Sequence, residues 1–182
     1  MDGGAGSRRP ESFGGLVSEE SLPRTAVLRN GLLLIIPVMV ITFGLWSALP
    51  APYGAEAFDR GIPSWLLSAE NALRLAIFGI PVVLYFGRQS EVQVRGWYVY
   101  LVGLLAYLGS YLAQIYLPAS AWSSSVIGFT APAWTTLLWL AGIGLVCERS
   151  WLALPWHRWV YLAVVAVFVT VHVAHARMAF PG

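Results

Sequence analysis

The chain has 182 residues, of which 58% are hydrophobic and only 11% charged, with a mean hydropathy of +0.67 and a net charge of +2. A soluble domain carries about a quarter of its residues as charges, so the composition is that of an integral membrane protein. The small, dispersed charge excludes the basic stripe of a nucleic-acid binder, and the single Cys147 excludes an intrachain disulfide or a cysteine metal cluster.

All eleven basic residues are Arg, a codon bias that points to a GC-rich bacterial genome. Residues 1–28 are rich in Gly and mixed charges and are expected to form a disordered cytoplasmic tail. The membrane domain then runs over 29–182. Its first span is expected at residues 30–49, kinked at Pro37. Residues 50–63 hold Pro50, Pro52, Gly54, Gly61 and Pro63 and read as a loop.

The second span, 64–86, is the anomalous one. It carries Glu70, Asn71 and Arg74 in two adjacent turns of an apolar helix. Such groups are costly in hydrocarbon and rarely face lipid. Glu precedes Arg by four residues, the favourable order for a pair on one helix. The residues therefore form either a self-neutralised ion pair or a binding site. In a site, the planar Arg74 fork holds an oxygen-bearing ligand group. Asn71 is expected to bond a neighbouring helix or the ligand.

The third span, 97–117, has the clearest pattern. Gly96, Tyr100, Gly103, Tyr107, Ser110 and Gln114 recur at spacings of four and three, so small and hydrogen-bonding residues share one face. Residues 118–130 are rich in Ser and read as a loop, a short interfacial helix or a re-entrant segment. The fourth span, 131–147, starts near Pro132 and is short for the ~20 residues a crossing needs. The fifth, 158–178, carries His172 and His175 on one face.

The fold class is thus an all-α integral membrane protein, a five-transmembrane-helix bundle. Arg8, Arg9, Arg24, Arg29, Arg88, Arg95, Arg149 and Arg158 fall on one side, and Arg60 and Arg177 on the other. The positive-inside rule then places the N-terminus in the cytoplasm and the C-terminus outside. The expected location is the bacterial inner membrane. Most of the nine Trp residues lie near span ends, as an interfacial belt does. The spans show no internal repeat of the kind many transporters have.

At a helix rise of about 1.5 Å, Arg74 falls near mid-bilayer and Glu70 roughly 6 Å towards the outside. Ser110, Gln114, Thr135, His172 and His175 fall in the same outer slab, and the inner half is almost bare of such groups. The expectation is an outward-facing polar pocket. Glu70 and His172 are its candidate catalytic groups; Arg74, Asn71, Tyr107, Ser110, Gln114, Thr135 and His175 are its candidate ligand-binding groups. No metal is expected, and His172, His175 and Glu70 are the weak alternative for one. No cofactor is legible. The expected partners are membrane lipids. If the polar stripe is instead a packing seam, the partners are other membrane subunits or a second copy of the chain.

Overall fold

The computed structural model describes residues 29–86, 90–152 and 156–181. The proposed tail, residues 1–28, lies outside them, as does Arg88. The described chain is almost entirely helical. A 3-10 turn, Gly31–Leu34, leads into α1 (Ile36–Leu45), followed by a second 3-10 turn, Trp46–Ala48. Then come α2 (Ala55–Phe58), α3 (Ser64–Val83), α4 (Glu91–Tyr116), α5 (Val126–Phe129), α6 (Ala131–Val146) and α7 (His157–Met178). Four stretches are long and apolar enough to cross a membrane: Gly31–Ala48, Ser64–Val83, Glu91–Tyr116 and His157–Met178. The chain is a multi-pass membrane protein by this measure. Ala131–Val146 is a shorter apolar helix.

The long helices close a ring. α4 packs on α6, α6 on α7, and α7 on α3; the first helical stretch touches α3 through Gly31–Leu34 and α4 through α1. The tightest seam is between α4 and α6. A Cβ added at Gly103 would lie 2.4 Å from the Trp139 backbone nitrogen, and one at Gly142 would lie 2.5 Å from that of Tyr100. Only glycine lets two backbones meet so closely, which is the means by which membrane helices associate without a hydrophobic driving force. The whole polar face expected on the third span is buried: Gly96, Tyr100, Gly103, Tyr107, Ser110 and Gln114.

Two local outcomes differ from the sequence expectations. Pro37 does not kink a long helix. It sits in the first turn of α1, where its missing N–H leaves no bond unmade. α4 begins at Glu91, six residues before the expected start. Ser90 accepts from the Gln93 N–H at 3.2 Å, and Glu91 lies in the first turn. A cap and an acid at the positive end of the dipole favour helix there in spite of the local charge. The Ser-rich stretch takes one of the forms expected of it, ending in the four-residue helix α5, capped by Ser125.

The two ends of the bundle are unlike. At one end, β1 (Leu84–Tyr85) pairs antiparallel with β2 (Arg149–Ser150), and Asn30 bridges to Tyr85. The Asn30 amide also donates to the Val82 carbonyl at 2.7 Å, just beyond Pro81, where α3 ends. The half next to this end is filled by Leu34, Val38, Ile77, Leu140, Ile143 and Val146, all buried. The Glu70 cluster and the cavity beside it lie towards the other end.

The seam is testable with two alanines. Gly103→Ala should destabilise the protein by about 1–3 kcal/mol through overpacking. Gly109 is exposed on the same helix, and its added Cβ meets nothing within 4 Å. Gly109→Ala should therefore be neutral or stabilising by up to about 1 kcal/mol. Thermal unfolding in detergent ranks the two, and the opposite order would refute backbone contact at Gly103.

Candidate functional site

α3 is apolar apart from a few positions, and helical spacing puts Glu70 and Arg74 one above the other. α7 puts His172 and His175 on one face by the same spacing. The packing of α7 on α3 brings the four together. Glu70 is 2% exposed and receives three partners. The Arg74 guanidinium donates to Oε1. His172 Nδ1 lies 2.9 Å from Oε1, and His175 Nδ1 lies 2.5 Å from Oε2. A carboxylate so deeply buried is stable only with its lone pairs filled in this way.

The two imidazoles are not equivalent. His175 is buried, and its Nε2 faces the Phe58 carbonyl at 3.2 Å and Asp59 Oδ1 at 3.4 Å. Both of its ring nitrogens thus meet oxygen acceptors, and it straps Glu70 to the loop that carries α2. Among the described residues His172 has Glu70 alone as its hydrogen-bond partner, and it is 22% exposed. Donation from its Nδ1–H to the carboxylate leaves Nε2 as a lone pair. The Phe168 ring stacks on the His172 imidazole at 5.3 Å between centroids and fixes its plane.

Beside this cluster lies a cavity of about 280 Å³. Arg74, His172 and His175 form part of its wall. Tyr107 and Tyr111 form another part, with their hydroxyls 3.1 Å apart and Thr42 Oγ1 2.9 Å from that of Tyr107. Trp46, Tyr53, Phe58 and Phe129 also line it, so aromatic rings dominate the remainder. Tyr53 donates to the Phe129 carbonyl at 2.8 Å, and their rings stack at 4.6 Å. Burial pushes the Tyr53 phenol well above its usual range, which keeps it a donor in this contact. Arg74 belongs to the wall, yet its side chain is 44% exposed, so the cavity is open at that point.

Four of the residues expected at a site therefore line the cavity: Arg74, Tyr107, His172 and His175. Glu70 lies behind them and joins three of them. The other four are placed elsewhere. Asn71 is exposed on α3 and accepts from Arg74 at 3.1 Å, with no bond to another helix. Ser110 donates to the Tyr107 carbonyl and Thr135 to the Ala131 carbonyl, each within its own helix. Gln114 donates to the Gly128 carbonyl and so ties α4 to α5. Among the described residues, no group of three His, Cys, Asp or Glu is arranged to hold a metal ion. The Nδ1 atoms of both imidazoles are taken up by Glu70.

Sequence reasoning did not find Tyr111, Phe58 or Phe129. Tyr111 stands four residues after Tyr107 and was open to the same facial argument. Phe58 and Phe129 sit in four-residue helices too short to show a period.

Comparison with protein-family models, with curated proteins and with solved structures gives no match to this chain.

The role of Glu70 as hub is open to measurement. Glu70→Ala strips the acceptor from Arg74, His172 and His175 together. It should cost about 3 kcal/mol, the low end for a broken buried pair because Arg74 keeps some exposure. Ser110→Ala removes only a bond within one helix and should cost no more than about 1 kcal/mol. Equal losses in thermal unfolding would show that Glu70 holds nothing together.

Proposed function

We propose that the chain is a five-span protein of a bacterial inner membrane, with its N-terminus in the cytoplasm and its C-terminus outside. On this reading its outward-facing cavity binds a small amphipathic or lipid-like ligand. Arg74 holds the ligand's polar end, and His172, oriented by Glu70, accepts or returns a proton. One observation carries this reading. A guanidinium and an imidazole stand in the same cavity wall and share one buried carboxylate. A mostly apolar pocket with a few convergent polar groups is the usual form of a small-molecule site. A His held by a carboxylate is the usual form of a general base. The crossing added to the four long ones is α6, an apolar helix of 16 residues that rises about 24 Å. The split of Arg residues supports the orientation.

A second reading, a subunit of a larger membrane assembly, is favoured by the surface of α3. Asn71 is exposed there and Arg74 is 44% exposed, at a depth where lipid solvates neither. A partner helix over this face would cover both. A transporter is disfavoured by the apolar half of the bundle beneath the cavity.

Native mass spectrometry of the protein purified in mild detergent tests the first reading. Wild type should retain a bound small molecule or lipid, and Arg74→Ala and His172→Ala should each lose most of it. Retention unchanged in both folded variants would defeat the ligand site. A monodisperse monomer in the same spectra would count against the assembly reading. The orientation is checked in a Cys147→Ser background by labelling intact cells with an impermeant maleimide. Ser124→Cys should react at once and Glu91→Cys only after permeabilisation; the reverse result would invert the topology.

A further inference from the structure

Taking the cavity as a ligand site, on which the following rests, we infer that its ligand is a planar aromatic ring bearing an anionic or carbonyl oxygen. The cavity holds about 280 Å³. That is too small for a whole phospholipid and ample for one or two fused rings. Its apolar wall is built mainly of rings and not of branched aliphatic side chains: Trp46, Tyr53, Phe58, Tyr107, Tyr111 and Phe129. Three of these lie in nearly parallel planes. Tyr53 and Phe58 are inclined by 17°, Tyr53 and Phe129 by 23°, and Phe58 and Phe129 by 26°. A flat ligand can offset-stack or meet ring edges in such a site, whereas a flexible chain gains no such geometry from it.

The polar side of the cavity selects the substituent. Arg74 commits one N–H to Glu70 and one to Asn71 among its bonds, and the guanidinium has five. Donors therefore remain for an oxygen in the cavity. The Tyr107 hydroxyl donates to that of Tyr111, whose own proton is left as a further donor on another part of the wall. Asp59 lines the cavity too, but it is about half exposed and its Oδ1 faces His175 Nε2 at 3.4 Å. Glu70 is turned away into its own three partners. At Arg74 the demand is for an acceptor, and a fork of N–H groups suits a carboxylate or a carbonyl. Such a ligand has two sources, a free aromatic acid from solution or the ring of a membrane-borne quinone. The exposed side of Arg74 gives access to either.

The test uses titration and saturation-transfer NMR on the purified full chain in detergent. The probes are benzoate for the soluble source and menadione for the membrane source. Cyclohexanecarboxylate, octanoate and benzyltrimethylammonium are the comparators. Benzoate, menadione or both should bind about tenfold more tightly than all three comparators. Phe58→Leu, or Phe129→Leu if the first fails to fold, should erase most of the preference of ring over chain. Arg74→Ala should weaken benzoate and menadione while leaving the protein folded. Which of the two binds more tightly tells the source. If octanoate or cyclohexanecarboxylate binds as well as either ring, the aromatic class is overturned and the Arg74 site stands. If benzyltrimethylammonium binds best, the requirement for an acceptor oxygen is overturned. If no probe binds while wild type retains a ligand that Arg74→Ala loses, the ring class is overturned and the cavity reading survives.

Discussion

A carboxylate inside a membrane helix has to be neutralised where it stands, and the polar end of this molecule is arranged around that requirement at Glu70. One partner, Arg74, comes from the same helix and costs no tertiary structure. It fills only part of the capacity of two oxygens. The rest is filled by two imidazoles from α7, one on each oxygen. This makes the register of α7 against α3 a condition of burying the charge. The effect extends further, because His175 passes the constraint on to Phe58 and Asp59 through its second nitrogen. A loop already tied to the Phe129 carbonyl by Tyr53 is thereby held at a second point beside the cavity.

The cavity itself follows from the size of side chains along α4. In the turns nearest its start, Gly96 and Gly103 let the α6 backbone come into contact. Further along the same face stand Tyr107 and Tyr111, which cannot fit in such a seam. Their rings pack at 5.0 Å from each other, and their hydroxyls reach Thr42 and the cavity. One helix face thus changes from small to bulky along its length. The half with glycines is closed and apolar. The half with tyrosines leaves room, and it is there that α3 and α7 place their charged groups.

Much of this was legible in the residues. The alternation of four and three along the third span marked the buried face, and each of its six positions is buried. The four-residue spacing of Glu70 and Arg74 marked the pair, and depth counting linked them to His172 and His175. Depth alone misled for Ser110 and Thr135. A hydroxyl on a helix can satisfy itself on a carbonyl of its own preceding turn, so its presence in a polar slab carries no information about a ligand. Asn71 shows the same effect with Arg74 as its local partner. The part of the aromatic wall made by Trp46, Tyr53, Phe58 and Phe129 was illegible for a different reason: it comes from short helices whose sequences have no period to read. The pairing of β1 with β2 spans two residues on each side and leaves no pattern either.

The two partners of the ion pair on α3 are not equivalent. An ion pair that fixes packing and a site that binds a ligand were alternatives for Glu70 and Arg74. The two ends of the pair have different surroundings. Glu70 is 2% exposed and Arg74 is 44% exposed, so the acid is consumed by structure while the guanidinium is not. An exposed N–H is costly in hydrocarbon, so this end of the pair calls for a cover, which a ligand or a partner helix would each supply. Arg74 keeps donors beyond those given to Glu70 and Asn71 at a cavity wall, next to an imidazole whose Nδ1 is already engaged. The buried carboxylate fixes both groups in place, and the proposed ligand would meet that fixed geometry.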